Sequence, residues 1–534
     1  MSKHLPHALL AALTFATLAV ARPASAFCGF YVSGADTPLT NDATLVVMMR
    51  DGTRTVLSMR NTYAGPPQDF AMVVPVPVVL HEANVKVLPR EIFDKVDRLT
   101  APRLVEYWEQ DPCRPVMLEE AMAPAPAGAA MADAPEEKSA TRHHVKIEAR
   151  FAVGEYDVVV LSAQDSSGLD AWLHENRYRV PEGAEPYLRP SVQMGMKFFV
   201  AKVNVAKVKF ERAGNGKEHA VLSPLRFHFD ADDFFLPVRL GLINSNGKQD
   251  LVTVILAKGQ RYEVANYDNV SIPTNLEVAD ATRRQFGSFY ASLFDRVVER
   301  HPRAVVTEYS WDAGSCDPCP IPPLEEQDLA TLGADVLPSG NDGSGFVVTR
   351  LHARYAKDTL GDDLHFRPAP PIVGGREGLE EGAKPDATNN FQGRYVIRHK
   401  WTGAVACQSP RFGEWGGPPD GNQPMPVPAL DLAFAPRDAD VDALVKSPMP
   451  EGLTLSRGQL VPPPRIPPAA GGCAGCSTAP SGADFAVAGV CAVGLLAMMR
   501  RKRRSGRCSG GCDEKAMDGG VARCGGGGPA RGVA

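Results

Sequence analysis

An α+β body, mostly antiparallel sheet with several helices, is what this sequence predicts, and three observations predict it. Apolar and polar residues alternate at the strand period across MKFFVAKVNVAKVKF, with Val203, Val205, Val208 and Phe210 among the positions. Turn chemistry separates apolar runs, most clearly at Asp51-Gly52 and Asn246-Gly247. Helical periodicity is confined to short stretches between strands.

Taken in order, residues 27 to about 112 read as one block. Leu45–Met49 and Thr53–Met59 form a hairpin around Asp51-Gly52. PQDFAMVVPVPVV is a strand whose Pro75 and Pro77 lack backbone donors, so that part belongs on an edge or leaves the sheet. Pro89 to Trp108 reads as helix, with Ile92, Phe93, Val96 and Leu99 near a 3.6 period and Pro102 splitting it in two. The stretch at about 121–142, AMAPAPAGAAMADAPEEKSA at its centre, is too poor in large apolar residues to offset ordering entropy and reads as a flexible insertion.

From Val145 two strands flank Gly154-Glu155, and a helix capped by Ser or Asp runs to about Asn176. The 197–210 segment comes next as one long strand. LSPLRFHFDADDFFLPVRLGLINSNGKQDLVTVILA continues the sheet, turning at Asn246-Gly247 before Leu251–Leu256. A longer helix spans about Asp280 to His301, a short one about Leu324 to Leu332, and Gly345–Tyr355 is the last clear strand. Residues 416–472 are rich in Pro and Gly and read as an extended linker.

The two ends carry addresses. Lys3, an apolar Leu9–Ala21 run and Ala24-Ser25-Ala26 make residues 1–26 a signal peptide. Near the other end, Cys473 and Cys476 stand among small residues. Then come an apolar run, Ala483–Met499, and the cluster Arg500, Arg501, Lys502, Arg503 and Arg504. That run reads as a transmembrane helix, and positive charge after it holds that side in the cytoplasm. Residues 505–534 are a Gly- and Cys-bearing disordered tail. The expectation is an exported cell-envelope or surface protein, tied to a membrane by this helix or by lipid. Its partners would include export and sorting machinery.

Composition agrees. The formal net charge is -5 at pH 7, which argues against a nucleic-acid partner. Of the 11 cysteines, Cys28, Cys113, Cys316, Cys319 and Cys407 fall in the exported body, where they can pair as disulfides.

Two clusters could carry chemistry. Cys316-Asp317-Pro318-Cys319 is either a redox-active pair, a half-site for zinc, or part of structural disulfides involving Cys407 or Cys113. The third reading is preferred, because PIPPLEE occupies the place where a redox fold would start a helix. His228, Asp230 and Asp232 share one face if 225–233 is a strand, so they are a weak metal candidate. A solvated strand face explains them better. No catalytic residue, cofactor or body ligand is assigned: there is no G-x-S-x-G, H-E-x-x-H, P-loop or G-x-G-x-x-G in a credible context.

Several motifs together, CGFYVSG, YDVVVLSAQDSSGLDAWL, SWDAGSCDPCPIPPL and VVTRLHARY, resemble the bacterial "domain of unknown function 2330" family over most of residues 27 to about 415. The resemblance implies an exported or surface protein with no established activity. The Cys–spacer–apolar–Arg order from Cys473 to Arg504 is similar to the MYXO-CTERM sorting signal. That similarity implies processing and lipidation at the cysteine. Such signals end at their Arg cluster, whereas this chain continues to Ala534. The function expected is a binding or structural module; the alternative is an exported thiol-redox or metal-dependent enzyme.

Overall fold

The computed structural model describes residues 30–32, 43–60, 71–113, 141–142 and 145–459, with short internal gaps. The signal peptide, Cys28, the 121–140 part of the insertion, Cys473, Cys476, the apolar run and the Arg cluster lie outside the described residues. Among the described residues, no helix is long and apolar enough to cross a membrane.

Two sheets pack face to face. The larger runs through Val305–Asp312, Phe346–Tyr355, Gln249–Lys258, Ala43–Asp51, Arg54–Arg60 and Leu225–Asp230, in that order. The second runs Phe30–Val32, Ala71–Val76, Lys197–Val203, Tyr156–Ala163 and Val145–Val153. Most neighbours are antiparallel; Gln249–Lys258 beside Ala43–Asp51 is parallel. Residues from both sheets, among them Val46, Leu57, Phe227, Met72, Val160 and Phe199, make the shared core. Helices cover the outer faces. Ser166–Glu175 and Glu185–Gln193 bury Leu169, Trp172 and Leu188 against the smaller sheet. Glu91–Thr100 and Glu326–Leu332 bury Phe93, Val96 and Leu329 against the larger.

The hairpin at Asp51 forms, with Asp51 opposite Arg54 and Gly52 at φ +55°, the left-handed value such a tight turn needs. Asp165 caps its helix by accepting from the Gly168 amide, as expected. Pro75 stands opposite Phe198 in a strand that has neighbours on both sides, not on an edge, whereas Pro77 falls past the strand's end at Val76.

Four further sequence expectations are corrected. The piece after Pro102 is a strand, Arg103–Glu109, not a second helix. It pairs in parallel with Arg394–His399, a partner almost 300 residues away that local periodicity cannot show. The long 197–210 strand breaks at Asn204, whose side chain accepts from the Ala206 amide and starts a 3-10 turn. The Asn246-Gly247 turn lies outside the described residues, and Gln249–Lys258 pairs with Ala43–Asp51 and Phe346–Tyr355, not with the strand before it. Finally, much of 416–472 is not a free linker. Ala429, Leu432, Val441, Leu444 and Leu453 are buried against the helix Phe286–Arg300 and its neighbours. Thr454–Ser456 adds a strand beside Asn269–Ser271. Scattered apolar residues in a Pro-rich context suffice to dock a chain without a periodic pattern.

Candidate functional site

Three adjacent strands bring charge into the interior. On Phe346–Tyr355, Arg350, His352 and Arg354 recur at every second residue and so share one face. Asp250, on the next strand, stands directly opposite Arg354. On the other side, Val305–Asp312 shifts register between Thr307 and Tyr309, leaving Glu308 as the extra residue of a bulge. A bulge re-aims a side chain, and here it sends a carboxylate toward the same face.

Glu308 and His352 are essentially inaccessible to solvent. Glu308 Oε1 receives the His352 Nδ1 proton at 2.6 Å and the Tyr290 hydroxyl; its Oε2 accepts from Arg350 Nε at 2.7 Å. His352 Nε2 lies 3.1 Å from Asp250 Oδ1. With a carboxylate on each nitrogen, the ring is an imidazolium donating twice. Arg350 also donates to Asp97 at 2.7 Å and Thr100 at 3.1 Å. Asp250 Oδ2 accepts from Arg354 at 2.7 Å and Arg437 at 2.6 Å. Arg437 and Arg354 both reach on to Asp295. Phe294 seals the cluster, stacked on the His352 ring with centroids 3.8 Å apart.

Asp97, Asp250, Asp295 and Glu308 thus face Arg350, His352, Arg354 and Arg437, carboxylate for cation. The outer end opens into a cleft of about 290 Å³ lined by Ser292, Asp295, Arg296, Glu299 and Arg437 among others. Burial alone would push His352 down, but Glu308 and Asp250 outweigh it and raise it to about 9. Burial would push Glu308 up; His352 and Arg350 bring it down to about 2. Asp295 is raised to about 6 by burial, which Arg354 opposes and Asp250 reinforces.

These shifts set a pH dependence. The folded His352 holds its proton more tightly than the unfolded one. Its contribution is complete below pH 6.5 and is lost as pH rises through about 9. The difference corresponds to about 3 kcal/mol. The Glu308 shift describes much of the same ion pair from its other end and is not added. Urea unfolding at a series of pH values should show stability declining between pH 7 and 10, and His352→Gln should flatten that decline.

As chemistry, the inner end of the cluster is closed. Both His352 nitrogens and both Glu308 oxygens are engaged and shut off from solvent, so neither is presented to a substrate. The arrangement ties helix, sheet and C-terminal segment together.

Among the described residues the cysteines form two bonds. Cys113 pairs with Cys407, and Cys316 pairs with Cys319. The CxxC therefore closes on itself, whereas the preferred sequence reading left it open to pairing with Cys407 or Cys113. Its loop comes directly after the Val305–Asp312 strand and is anchored from below. Arg103 donates to the Pro318 carbonyl at 2.8 Å, Gln392 to the Asp317 carbonyl, and Arg376 pairs with the Asp317 carboxylate at 2.6 Å.

The His228 set does not assemble. The strand ends at Asp230, so Asp232 falls in the turn beyond it. Both Asp230 oxygens are bound by Arg54 at 2.9 and 3.0 Å. His228 is lowered by burial and by the Arg54 and Arg226 cations, and its Nε2 lies 3.3 Å from the Asn84 amide. Among the described residues, no group of three His, Cys, Asp or Glu side chains could hold a metal ion.

A β-rich α+β protein with a paired ionic interior and two disulfides is the class that fold and site define. The chain belongs to a bacterial family described as "Uncharacterized protein conserved in bacteria (DUF2330)", whose pattern matches residues 22–367. No curated protein and no solved structure matches the chain.

Proposed function

We propose that this is an exported cell-envelope protein whose body serves as a binding or structural module, not as an enzyme. The observation that carries the export reading is the Cys113–Cys407 bond, which joins positions 294 residues apart. Such a bond forms and persists in an oxidising compartment and is rare in the cytosol. The signal-peptide pattern ending at Ala26 supports the same location, and the Cys473–Arg504 pattern supports membrane attachment through a helix or lipid. The paired state of the ionic cluster favours a structural role, since a general acid or base must have a lone pair or proton to spare.

The test is an intact mass and a non-reducing peptide map of the protein purified from its own cell envelope. The expected chain begins near Phe27, ends near Cys473 or Cys476 with lipid attached, and yields a Cys113–Cys407 linked peptide. A chain recovered from the cytosol with Met1 intact and both thiols free would overturn the reading. An end at Ala534 would instead favour attachment by the helix.

A further inference from the structure

We propose that Cys316–Cys319 is an exchangeable disulfide that accepts electrons from a polypeptide dithiol. This goes beyond the module reading, and four observations lead to it.

First, the two bonds differ in what they constrain. Cys113–Cys407 closes a separation of 294 residues, Cys316–Cys319 one of 3. The entropy removed from the unfolded chain grows with loop length, so the short bond does much less for the fold. Second, the loop keeps its shape without the sulfurs. Arg103, Gln392 and Arg376 hold its central dipeptide. Asp312 accepts from the Gly314 amide at 2.9 Å, and Trp311 donates to Ser315 at 3.2 Å. Leu324 and Ala313 are joined by a backbone bond of 3.1 Å behind it. A dithiol formed here would stay in place, ready to close again.

Third, positive charge adjoins the loop. Two guanidiniums, Arg103 and Arg376, are bound to the dipeptide between the cysteines. Arg376 and the Asp317 carboxylate offset each other, so the surplus cation at the dipeptide is Arg103, which binds carbonyl oxygens. Nearby cations lower a thiol's pKa and make it the better leaving group or nucleophile. Fourth, the two sulfurs are not equivalent. Cys319 Sγ lies 3.1 Å from the Cys316 carbonyl oxygen, where a protonated Cys319 can donate. Both cysteines are half-buried, not sealed in the core.

The step is a two-electron exchange. A partner thiolate attacks Cys316 Sγ, the Cys316–Cys319 bond breaks, and its electron pair goes to Cys319. Cys319 takes a proton from solvent, and its S–H donates a hydrogen bond to the Cys316 carbonyl oxygen. The partner's second thiolate then attacks the partner sulfur of the mixed disulfide and releases Cys316 as thiolate. The partner dithiol becomes a disulfide, and Cys316 and Cys319 become a thiolate and a thiol, or a dithiol once Cys316 takes a proton from solvent.

The experiment equilibrates the full chain in glutathione buffers of graded poise, quenches with acid, alkylates and maps the cysteines by mass. Expected is a range of buffers in which Cys316 and Cys319 are reduced, Cys113–Cys407 is intact and the circular dichroism is unchanged. A reduced two-cysteine peptide mixed with the oxidised protein should close its own disulfide with matching loss of Cys316–Cys319. With Cys319→Ser, the remaining Cys316 should react with a chromogenic aromatic disulfide at pH 6 about tenfold faster than Cys319 does in Cys316→Ser. Reduction of the pair only where the fold unfolds would overturn the proposal. So would a peptide that stays reduced, or equal reactivity of the two thiols. None of these outcomes would disturb the export reading, which rests on Cys113–Cys407 and the chain ends.

Discussion

Glu308→Gln should destabilise the fold by about 3–5 kcal/mol, the cost of removing one partner from a buried ion pair. Glu308 accepts from Tyr290, Arg350 and His352 at once. The amide keeps the size of the side chain, so cavity formation is not the cause. What changes is charge. Arg350 and His352 lose their shared anion in a site that water does not reach, and the Gln NH2 points a donor where a donor already stands. Part of the loss can be relieved because His352 can then release its proton. The pH dependence should change with the stability: the decline associated with the high His352 pKa should move toward neutral pH. Urea midpoints at pH 7 and pH 9 check both. A variant within about 1 kcal/mol of the parent at pH 7 would mean the cluster is not an ionic keystone of the fold. A double variant, Glu308→Gln with His352→Gln, should cost less than the two single changes added, because the second removes the charge stranded by the first.

Why this cluster escapes a reading of the sequence is physical. Arg350-x-His352-x-Arg354 is visible as an alternation in VVTRLHARY, and three cations on one face of an apolar strand is a signal. Their anions are not local. Glu308 reaches the site through a bulge, and a bulge is one extra residue with no fixed sequence mark. Asp250 is about 100 residues upstream, and Arg437 sits in a stretch whose Pro and Gly content reads as a linker. The strands themselves are legible, since Ala43–Asp51 and Arg54–Arg60 are short apolar runs around Asp51-Gly52, and Val145–Val153 and Tyr156–Ala163 flank Gly154-Glu155. Their neighbours are not, because pairing is decided by tertiary packing. Arg103–Glu109 illustrates this: Pro102 correctly ends a helix, but only pairing with the distant Arg394–His399 makes residues 103–109 a strand. The CxxC is legible as a motif and its partner is not. Two cysteines three apart can close on each other or on Cys28, Cys113 or Cys407, and only the tertiary fold, which brings Cys113 to Cys407, shows which.

Cys113→Ser with Cys407→Ser should lower stability by about 2–5 kcal/mol, while Cys316→Ser with Cys319→Ser should lower it by no more than about 2. The contrast comes from loop length. In the chain-entropy picture a closure of 294 residues constrains the unfolded chain by about 6 kcal/mol and one of 3 by about 2. Measured values usually fall below the first figure, because a real unfolded chain is already compact. The native side adds its own argument. Cys407 lies in a mostly exposed stretch, 400–427, tied down by a small set of contacts. Glu109 accepts from the Trp401 and Gly413 amides at 3.0 and 2.7 Å, and Arg411 donates its amide to Pro112. Those bonds lower the Glu109 pKa and keep the stretch near the Arg103–Glu109 strand when the sulfurs are gone. Loss of Cys113–Cys407 should therefore act in two places. The urea midpoint should fall, and amide exchange should quicken first across 400–427 and much less in the ionic core. Equal exchange across the whole body would mean this stretch is not a separately opening unit. A larger stability loss from the Cys316/Cys319 pair than from Cys113/Cys407 would reverse the assignment of which bond holds the fold and which is free to exchange.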